Sequence, residues 1–128
     1  MADPAQAEHT ERGQRGRDTF REVLGFEAQL DPSTPLTQAA QNFIFSEVWS
    51  RPGLDRRSRR WITLAAVTAT GASTPMHIYA KAALDSGDIT MEELREFVLQ
   101  FAVFQGFPKA VEFELMLNKL EAEHSSGR

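Results

Sequence analysis

The stretch "TPMHIYAKAALDSG", residues 74–87, brings His77, Tyr79 and Lys81 close together in the chain. An imidazole can accept a proton near neutral pH, a phenol can donate one, and an ammonium can hold a carboxylate. With Thr74 as cap and Pro75 as first helical residue, His77 falls in the first turn of a helix. The helix dipole there, and Lys81 one turn later, both oppose a charge on the imidazole, which leaves it able to act as a base. Tyr79 lies about 200° around the helix from His77, so the two cannot share one pocket without a neighbouring chain. The structural alternative is a histidine used for packing or left at the surface.

Two further constellations could do chemistry. Leu36, Ala40, Phe43 and Glu47 recur at helical spacing, with Ile44 and Val48 alongside, which sets the Glu47 carboxylate at the end of an apolar face. Glu47 is then either an acid or base in a pocket or one half of an ion pair with a nearby arginine. Arg51, Arg56, Arg57, Arg59 and Arg60 crowd a short segment. Arg56, Arg59 and Arg60 share a helix face, while Arg57 lies above Trp61 and Leu64. Guanidinium forks suit carboxylate substrates, and equally salt bridges between subunits or a solvated face. At a helix N-terminus they oppose the dipole unless an anion or acidic partner offsets them.

The elements that position these residues read as helices throughout. Phe20, Val23 and Leu24 form one face of a helix that Gly25 can stop. After "DPSTP", Thr34 caps and Pro35 opens a helix that runs to about Ser50, where "RPG" breaks it. Asp55 can cap a third helix, Arg56 to Thr70, ended by Gly71. Its apolar second half, "WITLAAVTAT", belongs at the centre of a bundle. A fourth helix opens at Thr74–Pro75 and closes at Gly87. Thr90 and Glu93 make a capping box for a fifth, Met91 to about Gln105, and "GFP" separates it from a sixth, Lys109 to about Glu123. The expectation is all-α, a single-domain bundle of about six helices. Residues 1–17 are read as a mobile arm, 18–123 as the domain and 124–128 as a tail.

Composition narrows the function. The 128 residues include 14 Lys and Arg against 18 Asp and Glu, a net charge of -4, which gives no general reason to expect nucleic acid or a membrane surface as partner. There is no cysteine, so thiol redox chemistry and thiolate metal sites are excluded. His9, His77 and His124 are too scattered in sequence to suggest a metal cluster. No secretory signal and no membrane-length apolar run are visible, which points to a cytoplasmic protein.

Two longer stretches, "VWSRPGLDRRSRRWITLAAV" and "AALDSGDITMEELREFVLQFAVFQGFPKA", resemble the carboxymuconolactone decarboxylase family. Arg51-Pro52-Gly53-Leu54, Arg56, Arg59, Thr63, Ala83-Leu84, Gly87, Glu92-Glu93 and Gly106-x-Pro108 fall in the family's order, from about Arg21 to Leu117. The resemblance implies an alkylhydroperoxidase D-like helical bundle that assembles into trimers or hexamers, with sites near subunit contacts. It also implies a lyase that needs no cofactor or metal and releases carbon dioxide from 4-carboxymuconolactone in the breakdown of aromatic acids. The thiol peroxidase branch of the fold uses a Cys-x-x-Cys pair and is excluded here.

Aligned on "AALDSG", the family's usual "ELxLHxRAALNNGVT" puts its histidine on Tyr79 and its arginine on Lys81, and the loop after Gly87 is one residue longer. Either Tyr79 replaces the histidine, or His77 takes over its role from a shifted helix, or the reaction is lost. The resemblance thus frames a lyase for a small carboxylated, lactone-type substrate. Arg51, Arg56, Arg59 and Lys81 would hold carboxylates, Trp49 would line the pocket, and Glu47, His77 or Tyr79 would move the proton. The alternatives are a relative with a larger, more apolar substrate against Trp49 and "FVLQFAVFQGF", and an oligomeric binding protein without turnover.

Overall fold

A computed structural model describes residues 4–27 and 34–126, with side chains from 11–27 and 34–125. The chain is an all-α single domain, with six helices and no strand among the described residues. The helices are α1 (Pro4–Leu24), α2 (Pro35–Ala39), α3 (Arg56–Thr70), α4 (Ser73–Ser86), α5 (Met91–Gln105) and α6 (Phe107–Ser126). Contacts divide it into two compact units, one ending at Asp55 and the other beginning at Arg56.

The first unit departs most from the sequence reading. The stretch 1–17, read as a mobile arm, is helical from Pro4 onward, as part of α1. Thr34 does cap α2 as its composition predicts, accepting the Thr37 amide at 3.3 Å. Beyond Ala39 the helix widens into a π-helix, Ala40–Val48, closed by Trp49 N–H donating to the Ile44 carbonyl at 2.9 Å. A π-helix bonds five residues back rather than four, so α-helical spacing no longer selects a face. This is why the apolar stripe read at Leu36, Phe43 and Ile44 is exposed, while Phe45, Ser46 and Trp49 are buried. Phe45 meets Phe20 of α1 at a ring distance of 4.9 Å, and Phe20 meets Phe26 at 5.3 Å.

Two glycines let α1 lie against this π-helix. A Cβ at Gly16 would stand 2.2 Å from the Gln41 carbonyl oxygen, and one at Gly13 would stand 3.2 Å from the Gln41 amide nitrogen. Gly16→Ala is therefore expected to destabilise the first unit by about 1–3 kcal/mol, despite alanine's better helix propensity. Urea unfolding would report it; a variant as stable as the parent would mean that α1 does not need this close approach.

The second unit is the better packed. Leu64, Ala80, Ala83, Ile89, Leu94, Phe113 and Leu117 form a core with almost no exposure. Each large apolar side chain there contributes roughly 1.5–3 kcal/mol. Phe97 joins Trp61, Phe101 and Phe113 at ring distances of 5.1–5.8 Å. Helix α3 buries one stripe only, Arg60, Leu64 and Thr68 at four-residue spacing, while Ile62 is 58% exposed. It packs on the core by one face and does not run through its centre as its composition predicts. Gly87, in the left-handed region at φ 80°, ends α4 as expected. At the other end, however, Ala72 stands at the N-cap in place of Thr74, and no side chain caps the helix. The capping box of α5 is present in both directions between Thr90 and Glu93.

Candidate functional site

Glu47 lies in the π-helix, half-exposed, and its carboxylate is ion-paired with Arg12 of α1. The same guanidinium donates from Nε to the Asn42 carbonyl at 3.1 Å. Arg12 thus ties α1 to the π-helix and fixes the Glu47 carboxylate. Sequence reasoning missed Arg12 because it falls in the polar stretch read as an arm. Trp49, read as a pocket wall, is buried at 6% exposure at the end of the π-helix. Arg51 is exposed in the turn that follows.

In the second unit the arginine cluster separates into different tasks. Arg57 pairs bidentately with Glu93, donates to the Asp88 carbonyl at 2.6 Å, and stands 5.7 Å above the Trp61 ring. That stacking matches its sequence position. Arg60 is 2% exposed, and its Nε donates to the Asp88 carboxylate at 2.8 Å. Asp88 lies in the loop that is one residue longer than the family form, so this extension carries the partner of a buried arginine. Arg56 and Arg59 are half-buried on α3.

The Arg57 contact, followed by the Thr90 amide, pulls the Glu93 carboxyl from its ordinary 4.5 down to about 2. A folded value below the unfolded one gives stability that is present above about pH 4.5 and lost as pH falls through about 2. Carboxyl carbon and Thr90 amide shifts are expected to titrate together in that window. A Glu93 midpoint near 4.5 would mean that the bridge is not formed.

Helix α4 carries the three residues of the opening stretch, and they diverge. Tyr79 packs against the core, and burial raises its phenol above the usual tyrosine value of 10. It is a neutral donor at physiological pH and cannot serve as a base. Lys81 is exposed and donates to Asp85 one turn on, at 2.5 Å. His77 lines a cavity of about 410 Å³ with residues from the end of α3 and from α6; Tyr79 is not on its wall. The expected separation of His77 from Tyr79 therefore holds. Among the described residues, no three His, Asp or Glu side chains converge as a metal ligand set, and no helix is long and apolar enough to cross a membrane.

A helical core with a basic α3 start, a π-helical Glu47 and an α4 carrying Tyr79 and Lys81 matches the carboxymuconolactone decarboxylase family over residues 35–117, and the chain belongs to that family. It is similar to 4-carboxymuconolactone decarboxylase of Acinetobacter baylyi, with 33% identity over 105 residues, covering 77% of this chain and 78% of the relative. It is also similar to nitrosuccinic acid decarboxylase of Metarhizium robertsii, with 34% identity over 106 residues, covering 77% and 73%.

Proposed function

We propose that this protein is a carboxy-lyase acting on a small carboxylated, lactone-type acid without a bound cofactor. The observation that carries the reading is the likeness over most of the chain to two relatives that are both named decarboxylases. Loss of carbon dioxide breaks a carbon–carbon bond and leaves its electron pair on carbon. A neighbouring electron-withdrawing group must delocalise that pair, and a proton must then be delivered. Arg51, Arg56, Arg59 and Lys81 supply cations for the substrate carboxylates. The Lys81–Asp85 pair is exposed and worth only a few tenths of a kcal/mol, so a substrate carboxylate can displace Asp85. Glu47 moves the proton, and Tyr79 donates a hydrogen bond to the electron-rich intermediate. His77 is the remaining proton carrier on α4. A cytoplasmic setting belongs to the same proposal.

The test is carbon dioxide release by purified protein from 4-carboxymuconolactone, with nitrosuccinic acid alongside. Turnover of either above the uncatalysed rate supports the reading, and release from neither overturns it. One observation favours a second reading, a binding protein without turnover: Tyr79 stands where relatives carry histidine and is a buried, neutral phenol. Tyr79→His separates the two, because a lyase that lost its base regains turnover and a binding protein does not.

We further propose that copies of the chain associate as trimers or hexamers through α5 and α6. Leu99, Val103, Phe104, Phe107, Val111 and Leu115 are each at least half-exposed there. A face that apolar on a soluble chain marks an interaction surface. Its rim carries both signs of charge in the Arg95–Glu114 ion pair, which suits a surface that meets its own copy. Light scattering would give the mass, and a monomer would overturn the proposal.

A further inference from the structure

The cavity that takes in His77 is a site the lyase reading does not explain. Its floor is Thr68, which has no exposed surface, and the Thr68 hydroxyl is buried without a hydrogen-bond partner. Thr70, two residues on, shows the usual alternative: its hydroxyl donates back to the Val67 carbonyl at 2.8 Å. A buried hydroxyl left unbonded is costly and therefore uncommon. Gly71 and Ser73 bring the start of α4 to the same cavity. No side chain caps that helix, so the Ser73 and Thr74 amides head it without intrahelical partners, at the positive end of the dipole.

The opposite wall is α6, with Lys109, Glu112, Leu115, Met116, Lys119 and Glu123. Lys109 is fixed by donating one of its protons to the Ala69 carbonyl at 2.5 Å, which leaves two donors. Lys119 makes no ion pair among the described residues. Two lysines against Glu112 and Glu123 leave the lining near neutral, which favours a singly charged ligand over a phosphate dianion. Met76, Leu115 and Met116 supply an apolar wall. About 410 Å³ suits a small molecule.

We propose that this cavity binds a small monocarboxylate with an apolar body. The carboxylate accepts hydrogen bonds from the Thr68 hydroxyl and the first amides of α4, with Lys119 as counter-charge and His77 beside it. Met76 and Met116 are unbranched and repack readily, which lets a ligand reach a hydroxyl that water does not. The site stands independently of the lyase reading.

The test is an amide NMR titration of the full-length protein with sodium butyrate. Sodium phosphate, sodium chloride and 1-butanol serve as comparisons. Butyrate is expected to give saturable shifts at Thr68, Ser73, Thr74 and His77, phosphate weaker ones, and chloride and butanol none at those residues. Thr68→Val and Lys119→Gln are each expected to weaken butyrate by about tenfold or more. Thr68→Val should keep or raise the melting temperature, because it removes a buried hydroxyl that lacks a partner. Lys119→Gln, on the cavity rim, provides a second variant that does not touch the core. Non-saturable shifts, shifts shared with chloride, phosphate binding as tight as butyrate, or unaltered affinity in both variants would each overturn the proposal.

Discussion

Glu47→Gln is expected to lower kcat/KM for carbon dioxide release by about 10²–10⁴-fold, the usual range for a lost general acid or base. The substitution keeps size and hydrogen bonding and removes the charge and the proton-carrying group. Its structural cost is small, because the Arg12–Glu47 pair is half-exposed and such pairs contribute about 0–1 kcal/mol. Activity and stability therefore separate: a large kinetic loss with a nearly unchanged urea midpoint assigns Glu47 to the reaction. If the only change is a modest loss of stability, matched by Arg12→Gln, Glu47 is a structural partner and the proton must travel by Tyr79 or His77. This split resolves the two readings that the Glu47 spacing leaves open.

Asp88→Ala is expected to destabilise the second unit by about 3 kcal/mol, the low end of the range for breaking a buried pair. The asymmetry of the pair sets that figure. Arg60 is 2% exposed, while Asp88 is 35% exposed, so the carboxylate loses little on leaving and the guanidinium stays behind in the interior. Arg60→Met removes the charge together with the need for its partner and is expected to cost far less, or nothing. Chemical denaturation of both variants checks the pair of outcomes. Equal, small losses would mean that the bridge behaves like an exposed one. The same pair explains the longer loop after Gly87: the extension carries the acid that lets an arginine sit among core residues.

Much of the second unit was legible. The limits of α3 and α5, the capping box at Thr90 and Glu93, and the left-handed stop at Gly87 all depend on local chemistry that a sequence displays directly. The stacking of Arg57 on Trp61 follows from four-residue spacing. The failures share one cause, a dependence on something distant in the chain. Residues 4–17 are polar with no apolar period, so their helix was invisible; its signal was the spacing of Gly13 and Gly16, meaningful only once Gln41 is known to lie against them. The buried face of the π-helix was misread because a one-residue change in hydrogen-bond register cannot be seen in side-chain types. Thr68 offered no signal at all, since a threonine in an apolar helix gives no sign that its hydroxyl lacks a partner.

The wide turn before Trp49 also bears on how this segment tolerates changes in length. A π-helix carries surplus residues relative to an α-helix of the same rise, so it can absorb a deletion that a regular helix cannot. Removing one residue between 40 and 46 would let the segment relax to α-helical bonding and turn Glu47 by about 100° around the axis. The chain would stay helical while its carboxylate left the reach of Arg12. The widened turn therefore acts as an angular setting for Glu47, open to adjustment by single-residue insertion or deletion without loss of the helix that carries it.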